Sequence, residues 1–279
     1  MHTKAKKTIK ITAIVLAVWL FICVVLAGWI VLPELNKKGR YKTVKNFANG
    51  KVEMIAHRGL SGLALENTLW AFEEAGKRAY DGIETDVQVT KDGKFVVFHD
   101  GDLSRWGIDL DVQNTDFYEL RRAGLHDLYD SENTQAYTIP TLKEYIQVCV
   151  EYDKQAILEL KNAMSEEQVW EIAQTVKDLG WWDRTTFISM RREHLLALRE
   201  NYPDASAQYV VERASKDDIA FLIEHKIDAD FCWVSINPFR VRKLHKAGLK
   251  VNCWTVDTRA CAWYMRFCGV DMLTTNILM

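Results

Sequence analysis

The chain has 279 residues, 48% of them apolar, and a formal net charge of −2. That length buries a sizeable core in one large domain and leaves room for an appendage. Near-neutral charge offers no electrostatic footprint for nucleic acid, so none is expected as a partner.

The appendage comes first. Lys4, Lys6, Lys7 and Lys10 make a basic N-terminus (1–10), and no charged residue occurs from Ile11 to Leu32. As a helix, that stretch spans roughly 33 Å at about 1.5 Å per residue, enough for a hydrocarbon core of about 30 Å. It is too long for an ordinary signal-peptide core and no A-x-A site follows, so it reads as an uncleaved, single-pass transmembrane anchor. A removed signal peptide is the competing reading. Lys37, Lys38, Arg40, Lys42 and Lys45 follow the span and nearly balance the charge before it, so the positive-inside rule decides weakly. The usual arrangement for a single anchor puts the large domain outside the cytoplasm. A polar linker is expected over 33–51. Five cysteines lie beyond the anchor, an odd number without C-x-x-C spacing, which argues against a disulfide framework or zinc site and for buried thiols.

From Val52 to Met279 apolar runs alternate with amphipathic stretches. The runs predict strands at Val52 to Ala56, Gly82 to Val89, Ala156 to Leu160, Thr186 to Ser189, Ser206 to Val210, Ala229 to Val234, Lys250 to Thr255 and Met272 to Thr274. Helices are predicted at Thr68 to Ala79, Thr141 to Tyr152, Ser165 to Leu179, Arg192 to Asn201, Ser215 to His225, Pro238 to Ala247 and Thr258 to Cys268. Such alternation implies a parallel sheet, and this many strands in one domain fit a closed (β/α)8 TIM barrel over 52–279. No Gly-x-Gly-x-x-Gly or P-loop follows a strand, which weakens an open nucleotide-binding sheet. The acidic, aromatic segment 101–137 breaks the alternation after the second barrel strand and reads as an insertion: a lid, a binding loop or a small subdomain.

Charged residues cluster at strand ends. Glu84 and Asp86 are two apart on a strand, so both face one way with alpha carbons about 6.5 Å apart. With Glu159 they form an all-oxygen set suited to a hard cation, Ca2+ or Mg2+. His57 and His99 each follow an apolar run and suit acid and base roles. Arg58 and Lys161 are candidate phosphate contacts, as guanidinium fork and point charge. Glu66 and Asn67 precede a helix; they either cap it or belong to the metal site, as possible ligands or as groups behind it, with Glu66 able to reach the metal or orient a histidine. Trp254, at a strand end, offers its ring to a polyol and its indole N–H to an oxygen.

His57-Arg58-Gly59, Glu66-Asn67-Thr68, Gly82-Ile83-Glu84-Thr85-Asp86-Val87, Thr90-Lys91-Asp92-Gly93, His99-Asp100, Ile139-Pro140-Thr141-Leu142, Glu159-Leu160-Lys161 and Trp254-Thr255-Val256 together resemble the glycerophosphodiester phosphodiesterase family, here of a membrane-anchored bacterial type. The resemblance runs over about Val52 to Asn276. It implies a TIM barrel that hydrolyses glycerophosphodiesters to glycerol 3-phosphate and an alcohol. It also implies a divalent cation on Glu84, Asp86 and Glu159, and acid–base work by His57 and His99. Two departures stand out: Leu65 replaces the proline usual before Glu66, and the chain ends without the usual Thr-Asp-Pro and last barrel helix, which questions how the barrel closes. A lysophospholipase D acting on membrane lipids and a non-catalytic phosphodiester-binding scaffold are the alternatives.

Overall fold

The computed structural model describes residues 41, 43–47, 52–129 and 133–279. The basic N-terminus, the expected anchor and most of the linker lie outside the described residues. Among those described, no helix is long and apolar enough to cross a membrane.

Strand β1 (Glu53–Ala56) leads to α1 (Leu69–Gly76) and β2 (Gly82–Val89). A turn then sends β3 (Phe95–Val97) back antiparallel along β2, with Val87 opposite Val97. The insertion follows, with α2 (Phe117–Arg122) and the paired β4 (Leu125–His126) and β5 (Ala136–Tyr137). Next come α3 (Leu142–Glu151), β6 (Gln155–Leu160), α4 (Glu166–Asp178), β7 (Thr185–Ser189) and α5 (Arg192–Asn201). The chain continues through β8 (Ser206–Val211), α6 (Lys216–His225), β9 (Asp228–Cys232), α7 (Pro238–Lys246), β10 (Val251–Trp254), α8 (Arg259–Cys268) and β11 (Met272–Thr275). Helices start where side chains satisfy their first free N–H groups: Thr141 with Glu144, Ser165 with Gln168, and Ser215 with Asp218 form reciprocal capping boxes.

β1 pairs in parallel with both β11 and β2, and β2 pairs onward with β6, so eight parallel strands close into a TIM barrel. The barrel interior holds Ile55, Ile157, Ile188, Val210 and Met272 beneath the functional residues. The larger core lies between strands and helices.

Closure does not need an eighth helix. Lys45 bridges Leu278 in parallel, the Phe47 N–H donates to the Met279 carbonyl at 2.6 Å, and Arg259 Nε donates to the Asn46 carbonyl at 2.7 Å. Residues 45–47, within the stretch expected as a linker, therefore lie over the last seam. The insertion is a small subdomain with its own core of Leu65, Val96, Phe98, Leu103, Val112, Leu120, Leu125, Tyr137 and Ile139. The described domain cysteines are free and mostly buried, as expected.

Arg121 of α2 grips Glu144 of α3 through two bonds of 2.7 Å, fastening the insertion to the barrel. The Arg121 bond draws the Glu144 carboxyl down from 4.5 to about 2. A depressed folded-state value means the stabilisation is complete above pH 4.5 and fades as pH falls toward 2. Glu144→Gln is expected to cost about 1 kcal/mol at pH 7, a moderate figure because the pair is partly solvated. Urea melts at both pH values check this: the difference between variant and parent shrinks at the lower one.

Candidate active site

Twelve side chains line one cavity of about 140 Å³ at the carboxyl ends of the strands, among them His57, Arg58, Glu84, His99, Glu159, Lys161 and Trp254. Seven predicted residues thus converge. Asp86 lies just behind them, buried, and oxygens of Glu84, Asp86 and Glu159 all fall within 4.8 Å of one another.

The β1 loop delivers its residues through an unusual backbone. Arg58 and Asn67 both sit at φ 54°, and Gly59 at φ 73° packs so close that a Cβ there would lie 2.6 Å from the Ala71 carbonyl carbon. This turn aims the Arg58 N–H at Glu84 Oε2 (2.8 Å) and its guanidinium at Glu66 (3.2 Å) and Asp86 (3.4 Å). Asn67 donates to Asp86 Oδ2 at 2.8 Å while accepting from Thr85 at 2.7 Å. Asn67 therefore orients the Asp86 carboxylate from behind. Glu66 is not a member of the acid triad; it binds Arg58 and Arg105 instead (2.6 Å to the latter). Glu66 thus holds two arginines, not a histidine.

His99 arrives by a route the parallel pattern did not foresee. β3 runs back down from the barrel rim, the Phe98 N–H bonds the Asp86 carbonyl, and Gln88 Nε2 holds the Phe98 and Asp100 carbonyls at 2.6 and 2.7 Å. The hairpin lowers His99 into the cavity.

Hydrogen bonds fix both imidazoles. Asn276 Nδ2 donates to Asp257 Oδ2 (2.7 Å), so Asn276 Oδ1 is an acceptor and His57 Nδ1, 2.8 Å away, carries the proton. His57 Nε2 is then bare and faces the cavity, 4.0 Å from Glu84 Oε2. Burial, then Arg58, pushes the His57 imidazole down to about 4. His99 Nδ1 lies 2.7 Å from Asp100 Oδ1, which accepts its proton in a hydrogen bond and fixes the ring. Asp100, Arg105, Asp257 and Asn276 were missed by sequence reasoning as functional groups; Asn276 carried one signal, its place directly after the last strand.

The acids fit a cation. Burial and then Asp86 raise Glu159 to about 7, and the same two causes raise Glu84 well above its usual range. Asp86 stays low against its burial because Arg58 and Lys161 face it, Lys161 Nζ lying 3.3 Å from Asp86 and 3.2 Å from Glu159. Crowded, buried, all-oxygen and mutually repelling, the set suits a hard divalent ion. Trp254 lines the cavity, but its indole N–H donates to the Asp230 carbonyl at 3.3 Å, so only its ring is offered to a ligand.

Residues 57–278 match the family model described as the glycerophosphoryl diester phosphodiesterase family. The chain belongs to this family. A glycerophosphodiester phosphodiesterase of Caldanaerobacter subterraneus is 28% identical over 81% of this chain and 94% of its own length. The Bacillus subtilis enzyme of that name is also 28% identical, over 81% and 84%. Among solved structures, an Oleispira antarctica phosphodiesterase in complex with the product sn-glycerol-3-phosphate superimposes with a TM-score of 0.75 at 27% identity, covering 84% of this chain and 96% of that one. The family carries phosphoric diester hydrolysis, which rules against a binding scaffold.

Proposed function

We propose that the chain hydrolyses glycerophosphodiesters to glycerol 3-phosphate and an alcohol, with His57 as base and His99 as acid beside a divalent cation held by Glu84, Asp86 and Glu159. The observation that carries this is the opposed wiring of the imidazoles: Nδ1 of one bound to a carboxamide oxygen, Nδ1 of the other to a carboxylate.

Arg58 and Lys161 orient the phosphate. The attacking oxygen, first a glycerol hydroxyl and then water on the cyclic ester, yields its proton to His57 Nε2 as its bond to phosphorus forms. The bond from phosphorus to the leaving oxygen breaks, and that oxygen takes a proton from His99 Nε2; the histidines exchange roles in the second step. A bound Ca2+ or Mg2+ would offset the phosphoryl charge.

The domain's place at a membrane is part of the proposal. The Tyr41 N–H donates to the Gly62 carbonyl at 2.8 Å, on the loop that carries His57. Leu32 and Tyr41 are nine steps apart, at most roughly 30 Å of extended chain, so an anchor over 11–32 keeps the catalytic face near the bilayer. Met190 and Val234, on connections of that face, and Phe239, in the first turn of α7, are 49%, 53% and 86% exposed. This apolar fringe favours a second reading in which lysophospholipids are substrates.

The full chain in detergent, incubated with glycerophosphocholine and lysophosphatidylcholine, tests both. Glycerol 3-phosphate and choline are expected from the first substrate. A higher kcat/KM for choline release from the second makes the lipase reading primary; no turnover of either contradicts the proposal.

A further inference from the structure

The side of the cavity facing away from the acids has its own chemistry. In the barrel order β1, β2, β6, β7, β8, β9, β10, β11, strand β9 lies four places from β2 in either direction, so Asp230 stands across the barrel from Glu84 and Asp86. Asp230 lines the cavity, is only 2% exposed, and its Oδ1 is buried without a hydrogen-bond partner. Around it the wall is Ile188, Met190, Val210 and the Trp254 ring, with Thr274 already donating to Asn252 at 3.1 Å.

An unpaired carboxylate buried in apolar surroundings costs several kcal/mol unless a donor or cation meets it. Among the described residues neither is supplied to Asp230 Oδ1. The glycerol unit of the diester keeps two free hydroxyls, and the histidine and acid side of the cavity offers it several polar partners. The far side offers one acid, an aliphatic wall and an indole whose N–H is already used, leaving its π face. That combination recognises a single positive charge carrying N–H donors.

We infer that Asp230, with the ring of Trp254, forms a subsite for a primary ammonium on the alcohol half of the diester, so that ethanolamine-type head groups are preferred. This rests on the proposed hydrolysis and adds a substrate class to it. Burial raises the Asp230 carboxyl well above its usual range, with Glu159 adding to the rise; a bound ammonium would draw it back toward the carboxylate.

Three substrates separate the cases: glycerophosphoethanolamine, glycerophosphocholine and glycerophosphoglycerol, assayed on the full chain and on Asp230→Asn. The asparagine keeps the shape and removes the buried charge, and a thermal melt confirms that the variant folds. The expected result is a tenfold or greater preference of the parent for the ethanolamine ester in kcat/KM. In D230N that preference collapses through KM while turnover of glycerophosphoglycerol stays within about threefold. A parent without the preference overturns the inference. So does equal loss on all three esters, which would place Asp230 against the shared glycerol. Glycerophosphoglycerol turnover by the parent reports on the hydrolysis itself, so failure of the subsite and failure of the activity are told apart.

Discussion

Replacing His57 by asparagine is expected to lower kcat on glycerophosphocholine by about 100-fold or more, with KM little changed. The bare Nε2 of this imidazole faces the acids, and its tautomer is set by Asn276 and Asp257. His99→Asn should cost as much, with one difference that assigns the roles. In the first step an acid is needed only when the leaving oxygen must be protonated, so in single-turnover release of nitrophenol from a nitrophenyl ester the His99→Asn deficit should shrink, whereas the His57→Asn deficit should persist. Equal deficits on both esters would mean the roles are not divided in this way. Because His57 lies at about 4, lowered by burial and Arg58, its basic form survives well below neutrality. The acid limb of kcat/KM should accordingly fall below the ordinary imidazole range near 6.5, and a bound cation moves it further in the same direction.

Asp86→Asn is expected to weaken divalent-ion binding roughly 100-fold or more and to lower turnover at micromolar ion to match. Asp86 is the acid that stays ionised: Arg58 and Lys161 hold it low, while burial holds Glu84 and Glu159 up. Without its charge the site loses its one firmly anionic ligand, and the remaining pair, still raised by burial, attracts a divalent ion less strongly. Asparagine retains an oxygen for the Asn67 amide, so the strand geometry should survive, and millimolar ion should restore part of the rate. Isothermal titration of parent and variant measures the affinities. Unchanged affinity would remove Asp86 from the ligand set.

Much of this was legible in the sequence because barrel chemistry is local to strand ends. The two-residue spacing of Glu84 and Asp86 on β2, and the place of Glu159 at the end of β6, fix three inward carboxylates from period alone. Period also located all eight barrel strands. It could not reveal that β3 turns back, since three apolar residues have no direction, and so it missed how His99 reaches the cavity. Nor could it pair residues distant in the chain. Asn276 meets His57 across 219 positions and Arg105 meets Glu66 across 39, contacts that exist only once the barrel closes and the insertion folds over the rim. Asp230 hid for another reason: an acid within a short apolar strand looks like a solvent-facing residue until neighbouring strands bury it.

The central claim is that Glu84, Asp86 and Glu159 hold one divalent cation beside His57 and His99. Crystals of the protein soaked in Mn2+, with anomalous scattering recorded near the manganese edge, test it most directly. The account predicts one strong peak within about 2.0 to 2.6 Å of an oxygen from each of the three acids, bordering the cavity that both imidazoles line. A fully soaked crystal with no peak there, or with its only peak elsewhere, would contradict it.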